Sequence, residues 1–103
     1  MSATATSRAK ALGPMDTIEK TLTISNEKGL HVRAATLLAQ TAGKFQSAIT
    51  VEHAGERANA KSIMSLLLLT AAKGTRVRVT ANGQDAVEAM DALSALIGNG
   101  FGE

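Results

Sequence analysis

Apolar positions recur with two different periods along this chain, and each change of period marks an element. Ile18, Leu22 and Ile24 interleave with Glu19, Thr21 and Thr23, the pattern of a half-buried strand. After the polar break Asn26-Glu27-Lys28-Gly29 the spacing lengthens. Ala35, Leu38, Ala42 and Phe45, with Leu37 and Thr41 alongside, predict a helix over Val32 to Gly43, where Gly43 supplies the stop. Ala48 to His53 alternates again, with Ile49 and Val51 facing one way. His53-Ala54-Gly55-Glu56 reads as a hairpin turn, returning through a short, weak strand from Arg57 to Ala60. Ser62 caps a second helix that reaches about Thr70 and is closed by Ala72-Lys73-Gly74. Arg76-Val77-Arg78-Val79-Thr80 is the clearest strand, charge alternating strictly with valine. Asn82-Gly83 turns into a last helix from near Asp85, striped by Ala86, Met90, Leu93 and Ile97 and stopped at Gly98.

The order βαββαβα, with helices apolar on one side only, predicts an α+β domain of two layers, a sheet with the helices on one face. A ferredoxin-like sheet fits the first six elements nearly as well, and the seventh separates the two. Residues 1–14 stand apart: they hold Ser, Thr, Ala, Arg8 and Lys10, no acid, and end in Gly13-Pro14. They are expected to be an unstructured extension or tag remnant, leaving one domain over residues 15–103. Composition narrows the function. Phe45 and Phe101 are the only aromatics, and the basic residues are dispersed around a net charge of +2. Neither feature suits a nucleic-acid binder that stacks bases. Without cysteine there is no disulfide framework or thiolate nucleophile. Two histidines separated by a whole helix make a poor metal site, so no metal or cofactor is expected. The longest apolar run, Ile63 to Leu69, is broken by Ser65 and too short to span a bilayer. A cytoplasmic monomer without membrane insertion is expected.

The chemistry concentrates where the first strand gives way to the first helix, at Gly29-Leu30-His31-Val32-Arg33-Ala34-Ala35. A helix N-terminus offers unpaired amides and the positive end of the macrodipole, and so favours an anion. A histidine there can act on such an anion, since neutral imidazole is nucleophilic. Arg33 adds a fixed charge and a planar fork of donors suited to phosphate oxygens. From chemistry alone, His31 as a phosphoryl carrier and His31 as a plain cap both stand. His53, at a strand end beside a turn, reads as an exposed residue without a role.

Gly29 to Ala35 resembles the active-site signature of the HPr family of histidine phosphocarriers in the bacterial phosphotransferase system, with Ala34 in place of the usual proline. A second stretch, Asn59-Ala60-Lys61-Ser62-Ile63-Met64-Ser65-Leu66, resembles the family's second helix and its regulatory serine. The resemblance runs from about Met15 to the end. It implies an antiparallel sheet of order 1-4-2-3. It also implies that enzyme I loads His31, at Nδ1, and that His31 passes the group to an A-type enzyme II domain. The amides of Val32 and Arg33 and the Arg33 guanidinium would hold the phosphate. Ser62 aligns with the target of an HPr kinase/phosphorylase, although a helix cap alone accounts for it. Leu66 and Leu69 align with inward positions, which leaves Met64, Leu67 and Leu68 outside as a partner surface. Lys28, Leu66 to Leu69, Ala72-Lys73-Gly74 and Gly100-Phe101 resemble the regulatory nitrogen branch, NPr, as much as sugar HPr. A small ferredoxin-like binding module with an incidental His31 is the rival from another class.

Overall fold

The computed structural model describes residues 17–103, and the extension expected over residues 1–14 lies outside them. The elements are β1 (Thr17–Thr23), α1 (Val32–Ala42), β2 (Ala48–His53), β3 (Glu56–Asn59), α2 (Ile63–Leu68), β4 (Arg76–Asn82) and α3 (Ala86–Gly98), followed by a 3-10 turn at Gly100–Gly102. The strands form one sheet in the order β1-β4-β2-β3, every neighbouring pair antiparallel. Register follows the alternation. Val79 lies opposite Val51, and Ala81 opposite Ile49, so the apolar side chains of β2 and β4 share one buried face. The helices pack over that face, α3 on β1 and β4, α2 on β3, and α1 against both other helices. The opposite face is polar. There Arg78 pairs with Glu52 and stands 3.7 Å from Glu19, and its guanidinium holds the Glu52 carboxyl below the usual glutamate range.

Several boundaries differ from the sequence expectation, each for a local reason. α1 ends at Gly43, but that glycine is right-handed (φ −65°) and the helix closes with the Gly43 amide donating to the Ala39 carbonyl and the Lys44 amide to Thr41, instead of turning left-handed. α2 stops at Leu68, short of Thr70, because Thr70 turns the chain at φ +49°. β3 starts one residue early because Ala54 (φ +52°) and Gly55 (φ +85°) make a tight two-residue hairpin whose twist matches the strands. β4 continues to Asn82. Gly98 is the last residue of α3 and no stop; Gly100 (φ +61°) and Phe101 (φ +58°) reverse the chain and bury the Phe101 ring. His53, expected exposed, is half-buried at the end of β2.

A second joint closes the helical layer. The Asp85 carboxylate does not cap α3; it accepts from the amides of Gln46 (2.8 Å) and Ser47 (2.9 Å) and from the Ser47 hydroxyl. These donors, the Ser47 hydroxyl foremost, hold the Asp85 carboxyl below its ordinary value.

Candidate functional site

The loop between β1 and α1 takes a path that only glycine permits at one point. Gly29 has φ +65°, and a Cβ there would stand 2.5 Å from the Ala71 carbonyl oxygen and 2.8 Å from the Ala72 Cα. This close approach lets the Leu30 amide donate to Ala71 O at 2.8 Å. Further back, Ile24 N donates to Thr75 O (2.9 Å) and Gly74 N to Ile24 O (2.7 Å). Buried Ile24 and Leu30 anchor both ends of the loop in the core.

His31 follows as the N-cap residue of α1, in extended backbone (φ −83°, ψ −177°), with no side-chain cap bond. Its carbonyl receives the first helical bond, from the Ala35 amide at 2.8 Å. The amides of Val32, Arg33 and Ala34 precede that bond and have no partner within the helix. The imidazole is partly exposed and both nitrogens have neighbours: Nδ1 is 3.0 Å from Gly29 O, and Nε2 is 3.3 Å from a carboxylate oxygen of Glu103. Buried Asn26 ties these groups together, its Nδ2 donating to Gly29 O at 2.7 Å and to the other Glu103 oxygen at 3.3 Å. Arg33 is exposed in the first turn and takes part in no ion pair among the described residues.

Beside this site the two packed helices α1 and α2 expose apolar side chains. Met64 is 70% exposed and Leu68 77%, joined by Val32 at 61% and, less fully, Ile63. Leu67 departs from expectation. It is half-buried against the core, because a helix of six residues tucked over β3 buries more than one stripe. Leu66 and Leu69 are buried as expected. The Ser62 hydroxyl accepts from the Ser65 amide at 3.2 Å, capping α2.

Over residues 18–99 the chain matches the family described as PTS HPr component phosphorylation site. The chain belongs to the HPr family. The HPr phosphocarrier of Xylella fastidiosa (strain Temecula1) is 49% identical over 86 residues, covering 84% of this chain and 97% of that protein. The NPr phosphocarrier of Shewanella violacea is 40% identical over 89 residues, covering 86% and 98%. Among solved structures, HPr from Thermoanaerobacter tengcongensis superposes with a TM-score of 0.81 at 46% identity, covering 84% of this chain and 97% of that one. The HPr fold, with its 1-4-2-3 sheet and three helices, displaces the ferredoxin-like alternative. No helix among the described residues is long and apolar enough to cross a membrane.

Two residues of the candidate site escape a reading by motif, Asn26 and Glu103. They lie 77 positions apart, so no periodicity links them. One signal was present: Gly100-Phe101-Gly102 places one of only two aromatics between glycines, a buried anchor on a turn that brings Glu103 to His31.

Proposed function

We propose that this HPr-family chain carries a phosphoryl group of the phosphoenolpyruvate-dependent phosphotransferase system on His31, taking it from the phosphohistidine of enzyme I and passing it to an A-type enzyme II domain. One observation supports this above the rest. A partly exposed imidazole sits at a helix start where three amides precede the first helical bond, and in the same turn stands a guanidinium without an ion-pair partner among the described residues. In each step the nitrogen–phosphorus bond of the donor breaks as one to the acceptor forms. The protein's part is position and charge, with the Val32 and Arg33 amides and the Arg33 side chain on the phosphoryl oxygens. No cofactor enters.

Met64 and Leu68, with Val32, form the surface on which successive partners dock in the cytoplasm, and Leu67 supports it from beneath. Such a surface suits brief encounters of a monomer, since each partner must leave before the next arrives. A phosphoryl group on Ser62, added by a kinase, would place nearly two negative charges beside that surface. The relatives include both an HPr, at 49% identity, and an NPr, at 40%, so the branch is decided by the onward-transfer test below.

Incubation with phosphoenolpyruvate and enzyme I should give an acid-labile gain of one phosphoryl group by intact mass. His31→Ala should abolish it while melting as the parent does, and His53→Ala should retain it. Phosphate on the His31→Ala protein would overturn the assignment. Onward transfer to purified A-type domains of each branch separates sugar from nitrogen partners.

A further inference from the structure

A neutral imidazole has one N–H, and at His31 two acceptors compete for it. Gly29 O lies 3.0 Å from Nδ1, and the Glu103 carboxylate lies 3.3 Å from Nε2. The carbonyl is slightly nearer, yet it already accepts the Asn26 amide at 2.7 Å. The carboxylate carries a full charge, and charge-assisted hydrogen bonds are roughly twice as strong as neutral ones. Which acceptor wins decides which nitrogen keeps a lone pair.

We propose that Glu103 is a positioning residue that selects the His31 tautomer, accepting the Nε2 proton so that Nδ1 is left as the nucleophile, with Asn26 holding Glu103 in place. The proposal rests on the reading of His31 as the phosphoryl carrier. Once the proton is on Nε2, the Nδ1 lone pair faces the Gly29 oxygen 3.0 Å away, and the resulting repulsion would favour a ring turned off that carbonyl toward an arriving partner. During transfer the Nδ1 lone pair forms the bond to phosphorus as the donor's nitrogen–phosphorus bond breaks, its electron pair returning to the donor ring. Nε2 keeps its proton throughout. The positive charge that develops on the ring lies against the Glu103 carboxylate, as an imidazolium lies against the aspartate of a serine-protease triad. With the proton on Nδ1 instead, it must be lost before any bond to phosphorus forms.

Asn26 carries a trace of this arrangement. Its side chain is buried, and its Oδ1 has no hydrogen-bond partner among the described residues, while both donor contacts go to Gly29 and Glu103. An orphaned buried oxygen is costly, and here it accompanies an amide turned with its donors toward the site. Phe101, buried in the core, anchors the turn that presents Glu103.

The decisive variant is Glu103→Gln, which keeps length and shape, removes the charge, and alters an exposed residue without threatening the fold. Long-range proton–nitrogen NMR correlations of the unphosphorylated protein, recorded where His31 is neutral, report the tautomer directly. The parent should show the proton on Nε2; Glu103→Gln should move population to Nδ1–H and slow phosphoryl transfer from enzyme I about tenfold. Asn26→Ala should shift the tautomer in the same direction, and Glu56→Gln, on the far hairpin, should change neither readout. An unchanged tautomer and rate in Glu103→Gln overturns the proposal, as does a parent spectrum with the proton on Nδ1. A parent that takes no phosphoryl group overturns the carrier reading instead, while the spectra still decide whether Glu103 places the proton.

Discussion

Arg33 sits in the first turn of α1, where the helix macrodipole disfavours a cation, and no carboxylate among the described residues relieves it. Its presence there makes sense if an anion visits the same turn. Arg33→Ala should therefore slow loading of His31 about tenfold, equivalent to about 1.4 kcal/mol of a charge-assisted contact, with unchanged or slightly higher thermal stability. Arg76→Ala, on the exposed face of β4, should leave the rate near that of the parent. Equal losses at both positions would point to general attraction by the basic surface. Arg78 is no fair control, because it holds Glu52 and Glu19 across the sheet.

At the scale of elements, α2 is asked to be two things, a capped lid on β3 and an exposed apolar face. Ser62→Glu separates them. Loss of the hydroxyl cap costs about 0.5–2 kcal/mol and the charge at the N-terminus returns about 0.3–1 kcal/mol, so the melting temperature should change little or fall slightly, while transfer from enzyme I weakens well beyond any loss of folded protein. Activity lost only in step with folded protein would reduce Ser62 to a cap. Leu68→Asp should weaken transfer without unfolding, since Leu68 has little contact with the core, and unchanged transfer would remove the surface from the mechanism. The long elements were legible in the sequence: the charge–valine alternation of β4 and the stripe of α1 mark period and face without help. Where legibility failed, the cause was short range or long range. Six residues of α2 are too few to show a stripe, and the alignment of Leu66 and Leu69 with inward positions does not reveal that Leu67 also packs against the core. The reversal at Thr70 comes without a glycine, asparagine or proline to announce it, one residue before Ala71 accepts from the Leu30 amide. His31 was legible by its motif, but its companions Asn26 and Glu103 meet it only through the folded chain.

For the molecule as a whole, the Asp85 joint fastens the α1–β2 loop to the start of α3. Its carboxyl is held below the ordinary aspartate value in the folded state, so the stability it contributes is complete above that value and is lost as pH falls through the lowered one. Glu27, paired with Lys73, and Glu52, paired with Arg78, are shifted in the same direction and add to the same slope. The melting temperature should thus fall as the solution is taken below about pH 4. Asp85→Asn should start lower at neutral pH and decline less steeply on acidification, as followed by circular dichroism. Equal slopes would mean that the joint carries no proton linkage. Gly83 guards the same joint, since a Cβ there would meet Ser47 Cα at 2.8 Å.

The backbone bonds that link residues 24–30 to residues 71–75 have a kinetic consequence. They stitch the incoming segment of the histidine loop to the outgoing segment of α2, so His31 and the exposed Met64 and Leu68 are held by one backbone network. On the phosphocarrier reading, a partner seated on Met64 and Leu68 would be registered to His31 by that act alone. Loading and unloading would then need no reset of the backbone between them, sparing the ordering cost that flexible sites bear at every encounter. Throughput would be governed by how quickly one partner departs and another arrives.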